Sequence, residues 1–496
     1  MSGVERSALR AKEARVLEDV PRGLYVDGVW REGAGTIPVE DPATGEPLCE
    51  VADGSVDDAL DAIAAADRAF EGWRATAPRE RAELLRRAYE LMTERTDELA
   101  LLMTLEMGKP LAEARGEVAY AANFLRWYAE EAVRIGGRFT PNENGAGRML
   151  TLQQPVGPCV FVTPWNFPLA MGARKVAPAL AAGCTCVVKP AKQTPLSMLA
   201  MAQIFEQAGL PAGALNVVTT NTAGPVTQAL LSDPRTRKLS FTGSTEVGRL
   251  LIAQAGEQVL RVSMELGGNA PFLVFEDADL DLAVEGAVLA KMRNGGEACT
   301  SANRFHVHER VADEFSARLA SRLGAMRVGR GTEAGVDVGP LIDETQREKV
   351  EELVADAVDR GARALTGGAR LDGAGYFFAP TVLAGVDADA RVLREEIFGP
   401  VAPIVPFAHD DEAVAAANDT EYGLVAYVFT RDVNRAFDVI ERLETGMIGL
   451  NQGIVSNAGA PFGGVKHSGY GREGGPEGLQ EYLETKYVAM NVGAGR

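Results

Sequence analysis

Between residues 158 and 242, short runs that are apolar at nearly every position alternate with longer segments rich in Ala, Leu and Met. The runs 158–163 (PCVFVT), 184–189 (CTCVVK), 215–219 (LNVVT) and 238–242 (KLSFT) read as strands. The segments from about Phe167 to Ala182, Pro195 to Ala208 and Gly224 to Ser232 read as helices. Strands that lack a polar face and are each followed by a helix predict a parallel, doubly wound sheet covered on both sides. Upstream, SVDDALDAIAAADRAFEGW repeats apolar residues at three and four spacing through Leu60, Ile63, Ala64 and Phe70, with Ser55 as its cap. Two further long helices are predicted from about Pro78 to Met107 and from Lys109 to about Ile135. Before them, LYVDGVW reads as a strand and a turn, DPATGEPLCEVADG as a strand pair, and residues 1–20 as an arm with helical character. A second αβ pattern starts at Pro271 with PFLVF (271–275) and runs to GMIGLN. A glycine-rich loop, PFGGVKHSGYGRE, and a strand-like run, YLETKYVAM (482–490), close the chain.

The 496 residues exceed what one core holds, so two or three domains of α/β class are expected. A net charge of -19 argues against nucleic acid and anionic membrane surfaces as partners and leaves small-molecule chemistry. The first twenty residues scatter charge and lack the apolar core of a secretory signal. The most apolar long region, 156–188, is interrupted by Arg174, Lys175 and prolines, so no membrane span is expected. Five widely spread cysteines, Cys49, Cys159, Cys184, Cys186 and Cys299, predict a reducing, cytoplasmic setting with no disulfide framework. The four histidines form no ligand cluster, so no metal is expected; His306 and His308 alternate along a predicted strand, in a paired or solvated role.

The densest chemistry lies in MELGGNAPFLVFEDADLDLAVEGAVLAKMRNGGEACTSANR, residues 264–304. It holds a carboxylate, Glu265, before a Gly-Gly-Asn turn, and a cysteine, Cys299, just after Gly295 and Gly296. A reactive thiol needs dipoles or cations that favour its thiolate, and flanking glycines permit close backbone approach. Ligands of a doubly wound sheet bind at the carboxyl ends of its strands, which here read PWNFP, KPAK and TGSTEVG. None is the fingerprint GxGxxG. A glycine-bearing turn feeding a helix still offers free N–H groups to an anion such as pyrophosphate.

PWNFP, KPA, FTGST, MELGGN, the cysteine of GEACTSANR, EEIFGP and PFGGVKHSG follow one another in an order and spacing that resemble the aldehyde dehydrogenase superfamily, from Tyr25 to about Val488. The resemblance implies a cofactor-binding domain of residues 1–139 and 157–264, with 446–478 returning to it, a catalytic domain of 265–445, and oligomerisation strands at 140–156 and 479–496. It implies Cys299 as nucleophile, Asn166 as oxyanion donor and Glu265 as the base that activates water. For the cofactor it implies Lys189 on the adenine ribose, Glu396 on the nicotinamide ribose, Phe398 beside the nicotinamide, and Trp165, Gly243, Ser244 and Gly248 around adenosine and pyrophosphate. Two positions depart from the family's habit. Glu297 stands where glutamine is common, and Lys192 stands where NAD-preferring members carry glutamate. NAD or NADP is therefore expected, with NADP slightly favoured.

Arg174, Arg293 and Ser456 resemble the pattern of family members that act on succinic semialdehyde, since guanidinium forks suit a carboxylate. A small aldehyde bearing a far carboxylate is the expected substrate, with glutaric semialdehyde or a general or betaine-type aldehyde as competitors, and a homodimer or homotetramer as the assembly. A thiol hydrolase using Cys299 would need a histidine, for which His467 is the candidate; a non-catalytic binding protein would have no use for Cys299, Glu265 and Asn166 together.

Overall fold

The structure, a computed structural model, describes residues 3–491. Cys159–Val162, Cys186–Lys189, Leu215–Val217, Lys238–Thr242 and Arg261–Glu265 run parallel in the middle of an eight-stranded sheet. The first four are buried along their whole length, which is why they carry no polar face. From Cys159–Val162 the chain winds outward to Leu215–Val217, then crosses back to place Lys238–Thr242 on the other side. The winding direction reverses between Cys159–Val162 and Lys238–Thr242, and the crevice beyond their carboxyl ends is where such sheets bind ligands. Leu24–Val26 and Val29–Arg31 add antiparallel strands at one edge, and Gly469–Tyr470 adds one at the other.

Local chemistry sets the flanking helices. The Val56–Ala75 helix opens with a reciprocal cap: Ser55 Oγ accepts from Asp58 N at 3.2 Å, and the Asp58 carboxylate accepts from Ser55 N at 2.9 Å. The helix expected from Pro78 to Met107 is instead two, Pro78–Glu94 and Thr96–Met107. Thr96 Oγ1 donates to Thr93 O at 2.7 Å, a local side-chain bond of the kind that competes with helix continuation. The expected strand pair after Val39 is a hairpin of Gly35–Asp41 with Glu46–Asp53. Pro42 and Gly45 belong to its turn, closed by Gly45 N to Asp41 O at 2.8 Å. Cys184 lies just ahead of its strand, and Cys184 and Cys186 are both buried.

The second sheet orders Arg363–Thr366, Thr381–Ala384, Val401–Phe407, Ala302–His308, Ala270–Val274, Val425–Phe429 and Met447–Leu450. All its pairings are parallel except the first. Met447–Leu450 pairs with Val425–Phe429, so the return to the first sheet expected from residue 446 is made by Gly469–Tyr470 instead. A third sheet joins Arg138–Pro141, Arg148–Pro155 and Leu483–Met490; its first strand starts two residues before the segment 140–156. Its strands expose Phe139 and Tyr487. Neither histidine of Ala302–His308 is solvated: His308 Nδ1 accepts from Arg310 N, while burial holds the His306 pKa down to about 3 and keeps it neutral. Among the described residues no helix is long and apolar enough to cross a membrane, and no metal-binding group of side chains occurs.

Candidate active site

Cys299 sits on the connection between the Leu280–Met292 helix and the Ala302–His308 strand. That connection turns tightly at Asn294 and Gly295, with φ of 57° and 62°. Asparagine tolerates this left-handed backbone because its amide bonds locally. Asn294 Nδ2 donates to Glu297 O at 2.9 Å and to Asn166 O at 3.1 Å. Glu265 ends the Arg261–Glu265 strand, and the Gly-Gly turn after it runs against the cysteine loop. A Cβ on Gly268 would lie 2.5 Å from the Cys299 carbonyl oxygen, so this approach needs glycine. Asn166 follows the Cys159–Val162 strand, and its Nδ2 donates to Glu297 O at 3.0 Å. One amide N–H is thereby anchored to the cysteine loop, and the other remains for an oxyanion.

Asn166, Glu265 and Cys299 line one cleft of about 220 Å3 beyond the switch point of the first sheet. Trp165, Gly243, Ser244, Glu396 and Phe398 line it too. Trp165 meets Phe398 edge to face, with ring centres 5.3 Å apart. Ser244 caps the Thr245–Glu257 helix, and Gly243 is bare where a Cβ would strike the Phe241 ring at 2.4 Å. Glu396 accepts from Gly268 N at 3.0 Å, and burial lifts its pKa to about 6. Lys189 is buried with a pKa lowered to about 8 by desolvation, and its Nζ donates to Pro190 O, leaving donors for a ligand. A helix N-terminus, a carboxylate and two aromatic rings around an open crevice suit a dinucleotide, although Lys189 does not itself line the cleft. Gly248 lies inside the helix that Ser244 caps, packed on Leu266, outside the lining of the cleft. Lys192 is exposed three residues beyond the Cys186–Lys189 strand and likewise does not line it. Gln346 and Lys349 do line it and escaped sequence reading. Gln346 Nε2 donates to Phe398 O at 2.7 Å from the first turn of the Glu344–Asp359 helix, where nothing in the sequence marks it.

The electrostatics are those of a dry site. Burial pushes the Cys299 thiol up to about 12; Arg174 and Arg293 pull it down, and Glu265 and Glu396 push it further up. The thiol is thus protonated near neutrality, against the expectation of a favoured thiolate, and attack requires a proton acceptor. Burial, reinforced by Glu473, holds the Glu265 carboxyl well above its ordinary range, opposed by Arg174, Lys175 and Arg472. Glu265 Oε2 has no hydrogen-bond partner among the described residues. Glu297 is buried, accepts from Ile342 N at 3.0 Å and is likewise held up by desolvation, so a neutral carboxyl occupies the place where glutamine is common.

A second cavity, of about 520 Å3, is lined by Arg293, Ser456, Tyr120 and Phe167 among others. Arg293 Nη1 donates to Ser456 Oγ at 2.9 Å, and the guanidinium lies 4.9 Å from the Phe167 ring centre. Arg174 does not line this cavity, so the three residues expected to grip the substrate carboxylate are not all brought together on it. It is fully buried in the Ala170–Ala182 helix, ion-paired with Glu473 and 4.1 Å from the Phe462 ring centre. Its Nη1 and Nη2 have no hydrogen-bond partner among the described residues. Lys175 shares Glu473 at 2.5 Å. Glu473, 208 positions from Glu265 in the chain, was not singled out from sequence. His467 pairs with Glu421 at 2.8 Å on the surface, outside the cleft of Cys299, which leaves a thiol hydrolase without its base.

A cysteine, an amide donor and a buried carboxyl around a dinucleotide crevice define a cofactor-dependent oxidoreductase of the thioester type. The aldehyde dehydrogenase family model matches residues 30–488, and the chain belongs to that family. It is 58% identical over 443 residues to the succinate-semialdehyde dehydrogenase of Paenarthrobacter nicotinovorans, covering 89% of this chain and 98% of that protein. It is 50% identical over 469 residues to a succinate-semialdehyde dehydrogenase of Escherichia coli (strain K12) named for NADP(+), covering 94% and 97% of the two chains. A solved succinate-semialdehyde dehydrogenase from Burkholderia pseudomallei superposes with a TM-score of 0.94 at 51% identity, covering 95% of this chain and 98% of that one. The protein is an aldehyde dehydrogenase that uses a nicotinamide cofactor.

Proposed function

We propose that the protein oxidises succinic semialdehyde to succinate through a thioester on Cys299, using NADP at least as well as NAD. The observation that carries the substrate is the Arg293–Ser456 pair at 2.9 Å on the lining of the second cavity. Arg293 and Ser456 clamp the far carboxylate from one side. Tyr120 lies 5.8 Å from the Arg293 guanidinium on the lining of the same cavity. Clamped there, a four-carbon chain reaches the thiol with its carbonyl.

The thiol sulfur of Cys299, its proton given to solvent, attacks the carbonyl carbon, forming the C–S bond and giving the π pair to oxygen. The free N–H of Asn166 Nδ2 and the Cys299 backbone N–H hold the oxyanion. A bound nicotinamide cofactor supplies the acceptor for the hydride that leaves this carbon. Glu396, Phe398, Trp165, Gly243 and Ser244 would hold that cofactor from the cleft, with Lys189 and Gly248 contributing from outside its lining, and Lys192 would offer a cation to a 2′-phosphate where glutamate would repel it. Glu265 then takes a proton from water as its oxygen attacks the thioester. The C–S bond breaks, and Cys299 leaves with the pair.

The strands Arg148–Pro155 and Leu483–Met490 close a homodimer or homotetramer, because an exposed edge such as Leu483–Met490 invites pairing; residues 492–496 of the expected segment 479–496 lie outside the described residues. Five free thiols suit the reducing conditions of a cytoplasm. The test is a panel of aldehydes crossed with NAD and NADP on purified enzyme. The expected result is the highest kcat/KM for succinic semialdehyde, with glutaric semialdehyde next. Better turnover of an uncharged aldehyde of the same length would reject the substrate.

A further inference from the structure

Lys109 and Glu117 form an ion pair whose side chains are each 1% exposed. Lys109 stands between the Thr96–Met107 and Leu111–Glu131 helices, and the second helix carries Glu113 and Glu117 one turn apart on the same face. Removing two charges from water costs several kcal/mol per ion, and an apolar pair of similar volume would pack the core as well. The bonds these charges make run to the candidate active site. Lys109 Nζ donates to Glu117 Oε2 at 2.5 Å and to the Asn166 carbonyl at 2.8 Å, and it lies 4.1 Å from the Phe167 ring centre. Glu117 Oε1 accepts from the N–H groups of Leu169 and Ala170 at 3.0 and 3.1 Å, where the helix bearing Arg174 begins. Glu113 Oε2 accepts from Asn294 N at 2.7 Å, at the turn of the cysteine loop.

After Thr163, whose N–H still donates to Lys189 O at 3.2 Å, residues 164–169 lie between a strand and a helix outside the sheet ladder. The Asn166 carbonyl is held by two donors, Lys109 Nζ and Asn294 Nδ2. Glu113 in turn fixes Asn294, so one helix face sets both the segment that carries the amide donor and the loop that carries the thiol. We propose that Lys109 and Glu117 are positioning residues that hold Asn166 where its second N–H meets the oxyanion on the Cys299 adduct. The inference rests on reading Asn166 as the oxyanion donor. A displacement of that donor by about 1 Å costs on the order of 100-fold in rate.

The test is a double-mutant cycle. Lys109→Met strands the buried Glu117 carboxylate, so Lys109→Met/Glu117→Gln is made beside it; the glutamine keeps an acceptor for Leu169 and Ala170 and leaves no unpaired charge. Each is measured alone and on an Asn166→Ala background, for kcat, cofactor dissociation constant and thermal midpoint. On the native background kcat is expected to fall roughly 10- to 100-fold, with cofactor affinity held within about two-fold. On the Asn166→Ala background the further fall is expected to stay within about two-fold, because both changes remove the same interaction. If the effects multiply while Asn166→Ala is itself crippled, the positioning role is overturned and the oxyanion reading stands. If Asn166→Ala keeps near-native turnover, the oxyanion reading fails and the positioning role with it. Native kcat in the double variant also rejects the proposal.

Discussion

Replacing Arg293 by alanine separates an enzyme built for acid aldehydes from one that accepts any aldehyde. Arg293 is half-buried on the lining of the 520 Å3 cavity, with one Nη on Ser456 and its face toward Phe167. A hydrogen bond to a charged partner contributes about 1.5–3 kcal/mol net, and partial solvent access favours the lower end. Losing about 1.5–2 kcal/mol lowers kcat/KM for succinic semialdehyde about 10- to 30-fold, because each 1.4 kcal/mol is a decade. Most of that change is expected in KM, since the clamp grips substrate and transition state alike. The stacking on Phe167 is lost for every substrate, so an uncharged aldehyde of equal length sets the baseline, with an expected change within about three-fold from this weak contact. Initial rates of cofactor reduction with both aldehydes decide the matter. Equal losses on the two substrates would refute the carboxylate clamp.

Two further outcomes follow from particular residues. Lys192→Glu is expected to lower the ratio of kcat/KM for NADP over NAD several-fold, since a carboxylate repels a 2′-phosphate and accepts from a 2′-hydroxyl; an unchanged ratio rejects Lys192 as a phosphate ligand. Glu297→Gln is expected to keep activity and to raise the thermal midpoint by a margin that widens with pH. The folded pKa of Glu297 is raised, so its favourable contribution is complete below the unfolded value and is lost as pH climbs through the folded one, at about 1.4 kcal/mol per pH unit between them. Equal midpoints for the two proteins across neutral and alkaline pH would contradict a buried neutral carboxyl at this position.

Much of this architecture is visible in the chain because it follows from repetitive physics. The strand 238–242 coincides with Lys238–Thr242, and the Ser55 cap is present, since a doubly covered strand and an N-cap are both written in adjacent residues. The nucleophile and its carboxylate stand out as chemistry beside glycine turns. Partnerships across long separations are silent. Glu473 reaches Arg174 and Lys175 from the far end of the chain, and Lys109 reaches Asn166 across 57 positions. A lysine or glutamate on a helix reads as surface by pattern alone, and only tertiary packing reveals that Glu117 and Lys109 are buried. The break at Arg95 was hidden by an apolar period that continues through it, and Gln346 by the absence of any turn signal around it.

The central claim is that an acyl group passes through Cys299 and is released by Glu265. Its most direct test is intact mass and peptide mapping of Glu265→Gln enzyme, quenched within the first turnovers with succinic semialdehyde and NADP. The neutral amide cannot take a proton from water, so a burst of cofactor reduction equal to the enzyme present is expected. A succinyl adduct is expected on the peptide containing Cys299, absent from a Cys299→Ala/Glu265→Gln control. Steady turnover without an adduct, or an adduct on any other residue, would contradict it.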